Sequence, residues 1–101
     1  MSQYKVIVSE EATQMLVAHA AFLAKVSQDA AYKMIYEFQV AADSLKEMPM
    51  RCAWFSNEFF PSHLYRFIVF SKRYMLLFKI VENNVFVDYV LDERQENEWL
   101  F

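Results

Sequence analysis

The chain has 101 residues, 56% hydrophobic and 18% aromatic, with 13 acidic and 10 basic side chains giving a net charge of −3. A chain this long forms one domain, residues 1–101, burying roughly 60–70% of its unfolded surface in one core, and so apolar a composition excludes disorder. The acidic balance argues against a generic nucleic-acid binder, the single cysteine, Cys52, excludes an internal disulfide, and the complete absence of glycine excludes a P-loop or dinucleotide fingerprint.

No basic segment followed by an apolar one opens the chain, and the long apolar runs are broken by Arg66, Lys72, Lys79 or Asp88. The expectation is a cytoplasmic protein with neither a secretion signal nor a membrane span.

Residues 3–8, QYKVIV, alternate briefly and read as a first strand ending at Ser9. Ser9 is placed to cap a helix whose first turn carries Glu10 and Glu11. Ala12, Met15, Leu16, His19, Phe22, Leu23 and Val26 then recur at three- and four-residue steps, one face of an amphipathic helix. Ser27-Gln28-Asp29 breaks the pattern and offers a second cap. Ala30, Ala31, Met34, Ile35, Phe38, Ala41, Ala42 and Leu45 repeat it until Met48-Pro49, where proline stops the helix. Two helices joined by so short a break form an antiparallel hairpin.

Residues 50–63, MRCAWFSNEFFPSH, are too apolar for a free loop, so they pack down or meet a partner. Residues 64–94 hold three β-branched and aromatic runs, separated by Ser71-Lys72-Arg73 and Glu82-Asn83-Asn84, and read as a three-stranded antiparallel meander. Asn83-Asn84 is expected to supply the positive φ angles of the second turn. Asp92, Glu93, Arg94 and Glu96 cluster where the third run ends, and Arg94 to Phe101 reads as a last helical turn or an extended tail. The fold class is α+β, ordered βααβββ, an antiparallel sheet with an N-terminal helical hairpin on one face.

Side chains alternate across a strand. With Phe67, Val69, Leu76, Phe78, Ile80, Val85, Val87, Tyr89 and Leu91 toward the helices, the other face carries Ile68, Phe70, Met75, Leu77, Lys79, Phe86 and Val90 with Arg66, Asp88 and Asp92. That face is too apolar to stand in water. Either the alternation is assigned one residue out, or residues 50–63 or the C-terminal tail cover the face, or it is a groove for a segment of another protein.

The order βααβββ, the opening YKVIVSEEA, a hairpin closing in SLKEMP, the run YRFIVFSKRYMLLFKI and the ending VFVDYVLDERQENEWL resemble the RelE/ParE superfamily of bacterial type II toxins over nearly the whole length. The resemblance implies a cytoplasmic toxin neutralised by a cognate antitoxin folded across its surface. It implies ribosome-bound mRNA as the target in the RelE-like branch and DNA gyrase in the ParE-like branch. RelE-like ribonucleases keep several basic residues on the open sheet face and a C-terminal tyrosine. RNA cleavage needs them to activate a 2′-OH, stabilise the charged transition state and protonate the leaving oxygen. Arg66 and Arg94 match two of the basic positions and are the catalytic candidates. The next positions carry Ile68 and Met75, and the tyrosine position falls near Trp99-Leu100. The resemblance therefore points to a ParE-like toxin acting by protein binding. The alternatives are a ribosome-dependent mRNA endonuclease helped by Lys79 or His63, and an inactive homologue that homodimerises through the same sheet face.

No cofactor or metal is expected. Cys52 has neither a partner cysteine nor a CxxC spacing. Asp88 and Asp92, read onto one strand face about 13 Å apart, are too distant to share an ion. His19 reads as a core or partly buried histidine, and His63 lacks a Ser or Asp at a recognisable spacing. Lys72 and Arg73 read as solvated turn residues.

Overall fold

A computed structural model of the chain describes residues 3–93. Arg94, Glu96, Glu98 and the Trp99-Leu100-Phe101 ending lie outside the described residues. Strand β1 (Lys5–Val8) leads into helices α1 (Glu10–Ala24) and α2 (Gln28–Ser44), a 3-10 turn over Pro49–Arg51, and strands β2 (Arg66–Phe70), β3 (Tyr74–Val81) and β4 (Asn84–Asp92). No helix among the described residues is long and apolar enough to cross a membrane.

Both expected caps form. The Ser9 hydroxyl accepts a hydrogen bond from the Ala12 N–H at 3.0 Å, and the Ser27 hydroxyl accepts one from Ala30 at 3.1 Å. Each satisfies a first-turn donor that the helix itself leaves unpaired. At the far end of α2 the Arg51 guanidinium donates to the carbonyls of Glu47 (2.8 Å) and Met48 (3.2 Å) and to the Ser44 hydroxyl (3.0 Å). A cation there also complements the negative end of the helix.

The sheet order is β1-β4-β3-β2. The meander β2–β3–β4 is antiparallel as expected, but β1 pairs parallel with β4, so the sheet is mixed. Local alternation marks a run as a strand without fixing its partner or direction. Here the meander leaves one edge of β4 open, and Val6 and Val8 dock on it beside Val85 and Val87. The helical hairpin covers one face, where Leu16, Met34, Phe38, Phe70, Leu76, Phe78, Val85 and Val87 form the main core. α2 keeps the face read from its spacing. On α1, Phe22 and Val26 are exposed while Ala20 is buried. Apolar residues surround α1, so spacing alone selects more than one stripe, and Val26 lies beyond the helix end.

The strand alternation differs from expectation in two places. The break Ser71–Arg73 is three residues long and pairs Phe70 with Tyr74 and Ile68 with Leu76. An odd-length turn sets residues of equal parity opposite one another, which sends Ile68 and Phe70 into the helix-side core and Phe67 and Val69 to the other face. In β4, Leu77 pairs with Tyr89 and Phe78 with Val87, leaving Asp88 as a bulged residue. Beyond it the faces exchange: Val90 enters the helix-side core, while Tyr89 and Leu91 join the opposite cluster. Asp92, opposite Tyr74 and buried, is therefore not on the face that carries Asp88.

β1 ends at Val8 opposite Val87, so the next stretch of β4 has an edge without a strand. α1 runs along that edge, and the His19 ring meets the Val90 carbonyl at 3.0 Å through Nε2. His19 is partly buried, as its position on the helix implies.

With no glycine available, Met48, His63, Ser71, Lys72 and Glu82 take left-handed φ angles. In the two-residue turn between paired Val81 and Asn84, the positive φ falls on Glu82 (56°) and not on Asn83 or Asn84. Asn84 is the first residue of β4. An L-residue pays about 1–2 kcal/mol in this region, against about 0.5–1 kcal/mol of backbone entropy for glycine. Glu82→Gly is therefore expected to raise the unfolding free energy by about 0.5–1 kcal/mol. The check is a higher urea midpoint at unchanged slope, with Glu82→Val shifting the midpoint down.

Candidate site on the open sheet face

The sheet face away from the helices is partly roofed by the chain before β2. Phe55 donates its N–H to the Tyr65 carbonyl at 2.7 Å, and Phe67 donates to the Ala53 carbonyl at 3.1 Å, so residues 53–55 continue the sheet beyond the first half of β2. Phe55, Phe60, Phe67, Tyr65 and Tyr89 then meet edge to face, with ring centroids 5.4–5.9 Å apart. Such contacts contribute roughly 0.5–1.5 kcal/mol each beyond their burial. Beneath these rings Leu77 and Leu91 are fully buried, a second small core with Met15 packed against both cores. Residues 50–63 thus supply a cover for the apolar face. Asn57 shapes it by accepting the N–H groups of Phe59 (2.8 Å) and Phe60 (3.0 Å).

Arg66 braces this segment from the other side. It pairs across from Phe78 and so faces, with Ile68 and Phe70, toward the helix side of the sheet, a correction to its expected place on the open face. Its guanidinium donates to the carbonyls of Cys52 (2.7 Å) and Met50 (3.0 Å), and it stacks 3.9 Å above the Trp54 ring centroid. A planar fork that is delocalised and weakly hydrated suits this combination of carbonyl clamp and aromatic stack. The side chain read as a catalytic cation is anchored by these structural contacts. Arg94, the other catalytic candidate, lies outside the described residues.

Of the residues read as a partner surface, Met75, Leu77, Lys79 and Phe86 lie on the open face, with Leu77 beneath the aromatic cover. Ile68, Phe70 and Val90 belong to the helix-side core, a correction that follows from the three-residue turn and the bulge. The accessible apolar groups on and around the face are Val69, Phe59 and Leu64. His63 packs edge-on against Trp54 at 5.1 Å with a φ of 62°.

A polar set occupies the bulge. The Tyr65 hydroxyl donates to Asp88 Oδ2 at 2.8 Å, and Lys79 Nζ lies 3.7 Å from the same oxygen. Burial, then the Asp88 hydrogen bond and the Asp88 charge, push the Tyr65 phenol above its ordinary value of 10.0. It therefore stays protonated at neutral pH and cannot act as a base there. Burial likewise raises the Cys52 thiol, opposed by Arg51 and Arg66. No three His, Cys, Asp or Glu side chains among the described residues are grouped to hold a metal. Sequence reading missed Tyr65 as a site residue. The signal was the odd length of the Ser71–Arg73 break, which places Phe67, and with it Tyr65, on the open side.

No protein-family model and no curated protein matches the chain. Among solved structures it is similar to one described as a chromosomal ParDE TA system from P. aeruginosa. The TM-score is 0.71 at 12% identity, over 89% of this chain and 96% of that one. The two share their fold, a helical hairpin packed on a mixed sheet of four strands.

Arg66→Ala is expected to lower stability by about 1–3 kcal/mol, because two carbonyls lose a charged donor and Trp54 its stacking partner. Arg66→Lys restores only part of this, as read by urea unfolding. Tyr65→Phe is expected to cost about 1–3 kcal/mol at neutral pH by removing the donor to the Asp88 carboxylate. The raised phenol adds a pH signature. A proton held more tightly in the folded state stabilises fully below the unfolded value of 10.0 and is progressively lost as pH rises above it. Wild type should therefore lose stability more steeply than Tyr65→Phe above that pH.

Proposed function

We propose that this chain is the toxin component of a type II toxin–antitoxin pair, of ParE type, working in the cytoplasm by binding other proteins. One partner is a cognate antitoxin, and the target in this reading is DNA gyrase. The observation that carries the reading is the fold likeness to the ParDE chain over nearly the full length of both molecules.

Binding is favoured over RNA cleavage by how the open face is furnished. Arg66, opposite Phe78, points away from that face and is occupied by two backbone carbonyls and Trp54. Lys79 faces Asp88, and the Tyr65 phenol is held protonated. General acid–base cleavage of RNA needs a base near neutrality and cations aimed at the phosphate. The face instead offers Val69, Met75 and Phe86 beside the Lys79–Asp88 pair, a mixture of apolar and charged groups suited to a protein segment. Homodimerisation through this face, the third reading of the sequence, has less support because Leu77 and Leu91 are already covered from within the chain.

The test is induction of the chain in a bacterial culture, beside a Val69→Glu/Lys79→Glu variant on the accessible part of the face. Wild type is expected to arrest growth and, once purified, to block DNA supercoiling by gyrase while leaving ribosome-bound mRNA intact. The variant is expected to fold but to lose both effects. Cleaved mRNA would move the assignment to an endonuclease, and unimpeded growth with soluble, folded protein would overturn the toxin reading.

A further inference from the structure

The outer face of the helical hairpin has an unusual surface. Tyr32, Tyr36 and Val40 stand at i, i+4 and i+8 along α2 and are 68%, 65% and 52% exposed; Val17 on α1 is 57% exposed, with exposed Ala18 and Ala21 beside it. The solvent side of a helix packed on a sheet is ordinarily charged or polar. Here the middle of both helices carries tyrosine, valine and alanine outward, with Gln14 and Gln39 as polar neighbours. Exposed aromatics in a patch poor in charge mark the centre of a protein interface.

Charge lies at the two ends of the hairpin, and the ends differ. The α1–α2 turn carries Lys25 and Lys33 against Asp29. The opposite end carries Glu10, Glu11, Asp43 and Glu47 against Lys46, which is bonded to Asp43 at 2.8 Å, and Arg51. The face is therefore net positive at one end and net negative at the other. Tyr36 lies at the middle of α2 (Gln28–Ser44) and Val17 at the middle of α1 (Glu10–Ala24). A half-turn about an axis through this centre places each positive end on a negative end and the tyrosine–valine centre on itself. That is the condition for an isologous contact.

We infer that this face seats a second copy of the chain, in an antiparallel two-fold dimer centred on Tyr36 and Val17. Two helices of about 22–25 Å, side by side at 8–10 Å between axes, present a face of roughly 450–500 Å² per protomer. Doubled, this is at the low end of specific interfaces, so the dimer is a weak one with a dissociation constant on the order of 1–100 µM. The dimer leaves the open sheet face free in both copies and does not depend on the function proposed above.

Sedimentation velocity of the full chain over roughly 1–200 µM, bracketing that affinity, tests the inference. The expected result is a concentration-dependent shift from the 12.1 kDa monomer to twice that mass. Tyr36→Glu, at an exposed position with circular dichroism like wild type, is expected to stay monomeric throughout. Val69→Glu on the open sheet face is expected to dimerise as wild type does. Lys25→Glu/Lys33→Glu and Glu10→Lys/Glu11→Lys are each expected to be monomeric alone and to form a heterodimer when mixed, since mixing restores both end contacts. Wild type monomeric at the top of the range overturns the proposal. So does a dimer that survives Tyr36→Glu, or reversed-charge variants that fail to associate on mixing.

Discussion

The bulge at Asp88 and the three-residue turn before β3 together decide which side chains this protein buries. A strand has a period of two, so one added residue exchanges the faces of everything beyond it. In β4, Val85 and Val87 point to the helices, and after Asp88 so does Val90, while Tyr89 and Leu91 turn the other way. Without the extra residue, Tyr89 would enter the helix-side core and Val90 would face the aromatic cover. The turn acts on β2 by the same arithmetic, setting Phe70 against Tyr74 on one side and Val69 against Met75 on the other.

A sheet apolar on both faces needs two covers, and one helical hairpin provides a single cover. The second comes from the irregular chain between α2 and β2, a costly choice because irregular backbone needs its own hydrogen bonds. Those bonds can be accounted for one at a time. Residues 53–55 pair with the start of β2, Asn57 takes the N–H groups of Phe59 and Phe60, and Arg66 takes the carbonyls of Met50 and Cys52. The edge-to-face rings then fill the space above Leu77. An arginine at the start of a strand, next to a toxin-like pattern, invites a catalytic reading. Its three partners give it a mechanical one.

What could be read from the residues was whatever depends on neighbours in sequence. Ser9 and Ser27 cap their helices because a serine ahead of an apolar-periodic run needs only the next turn to complete it. The buried side of α2 follows its spacing because Tyr32, Lys33, Tyr36 and Gln39 leave one apolar stripe to bury. On α1, Val17, Ala18, Ala21 and Phe22 are as apolar as the buried set, and spacing loses its discrimination. The parallel pairing of β1, the bulge and the clamp by Arg66 join residues far apart in the chain, where local pattern carries no information. The odd length of Ser71–Arg73 was legible and sufficient to place Ile68 and Phe70 correctly. The asparagines of the second turn misdirect, because the turn closes one residue earlier and Glu82 bears the left-handed angle.

The same accounting separates a surface built for chemistry from one built for contact. Reactive groups in a site are kept near their switching point and aimed at an open position. Tyr65 is moved away from that point by burial and by Asp88, and its hydroxyl is spent on that carboxylate. Lys79 reaches the same oxygen, so the bulged aspartate of β4 holds together an ammonium from β3 and the phenol of the residue leading into β2. Such an arrangement fixes the shape of the face and leaves its polar atoms largely paired. On the binding function proposed above, a partner gains little by proton transfer and much by covering Val69 and Phe59. The shape of the face is set by the buried contacts beneath it, Leu77 and Leu91 under the edge-to-face rings.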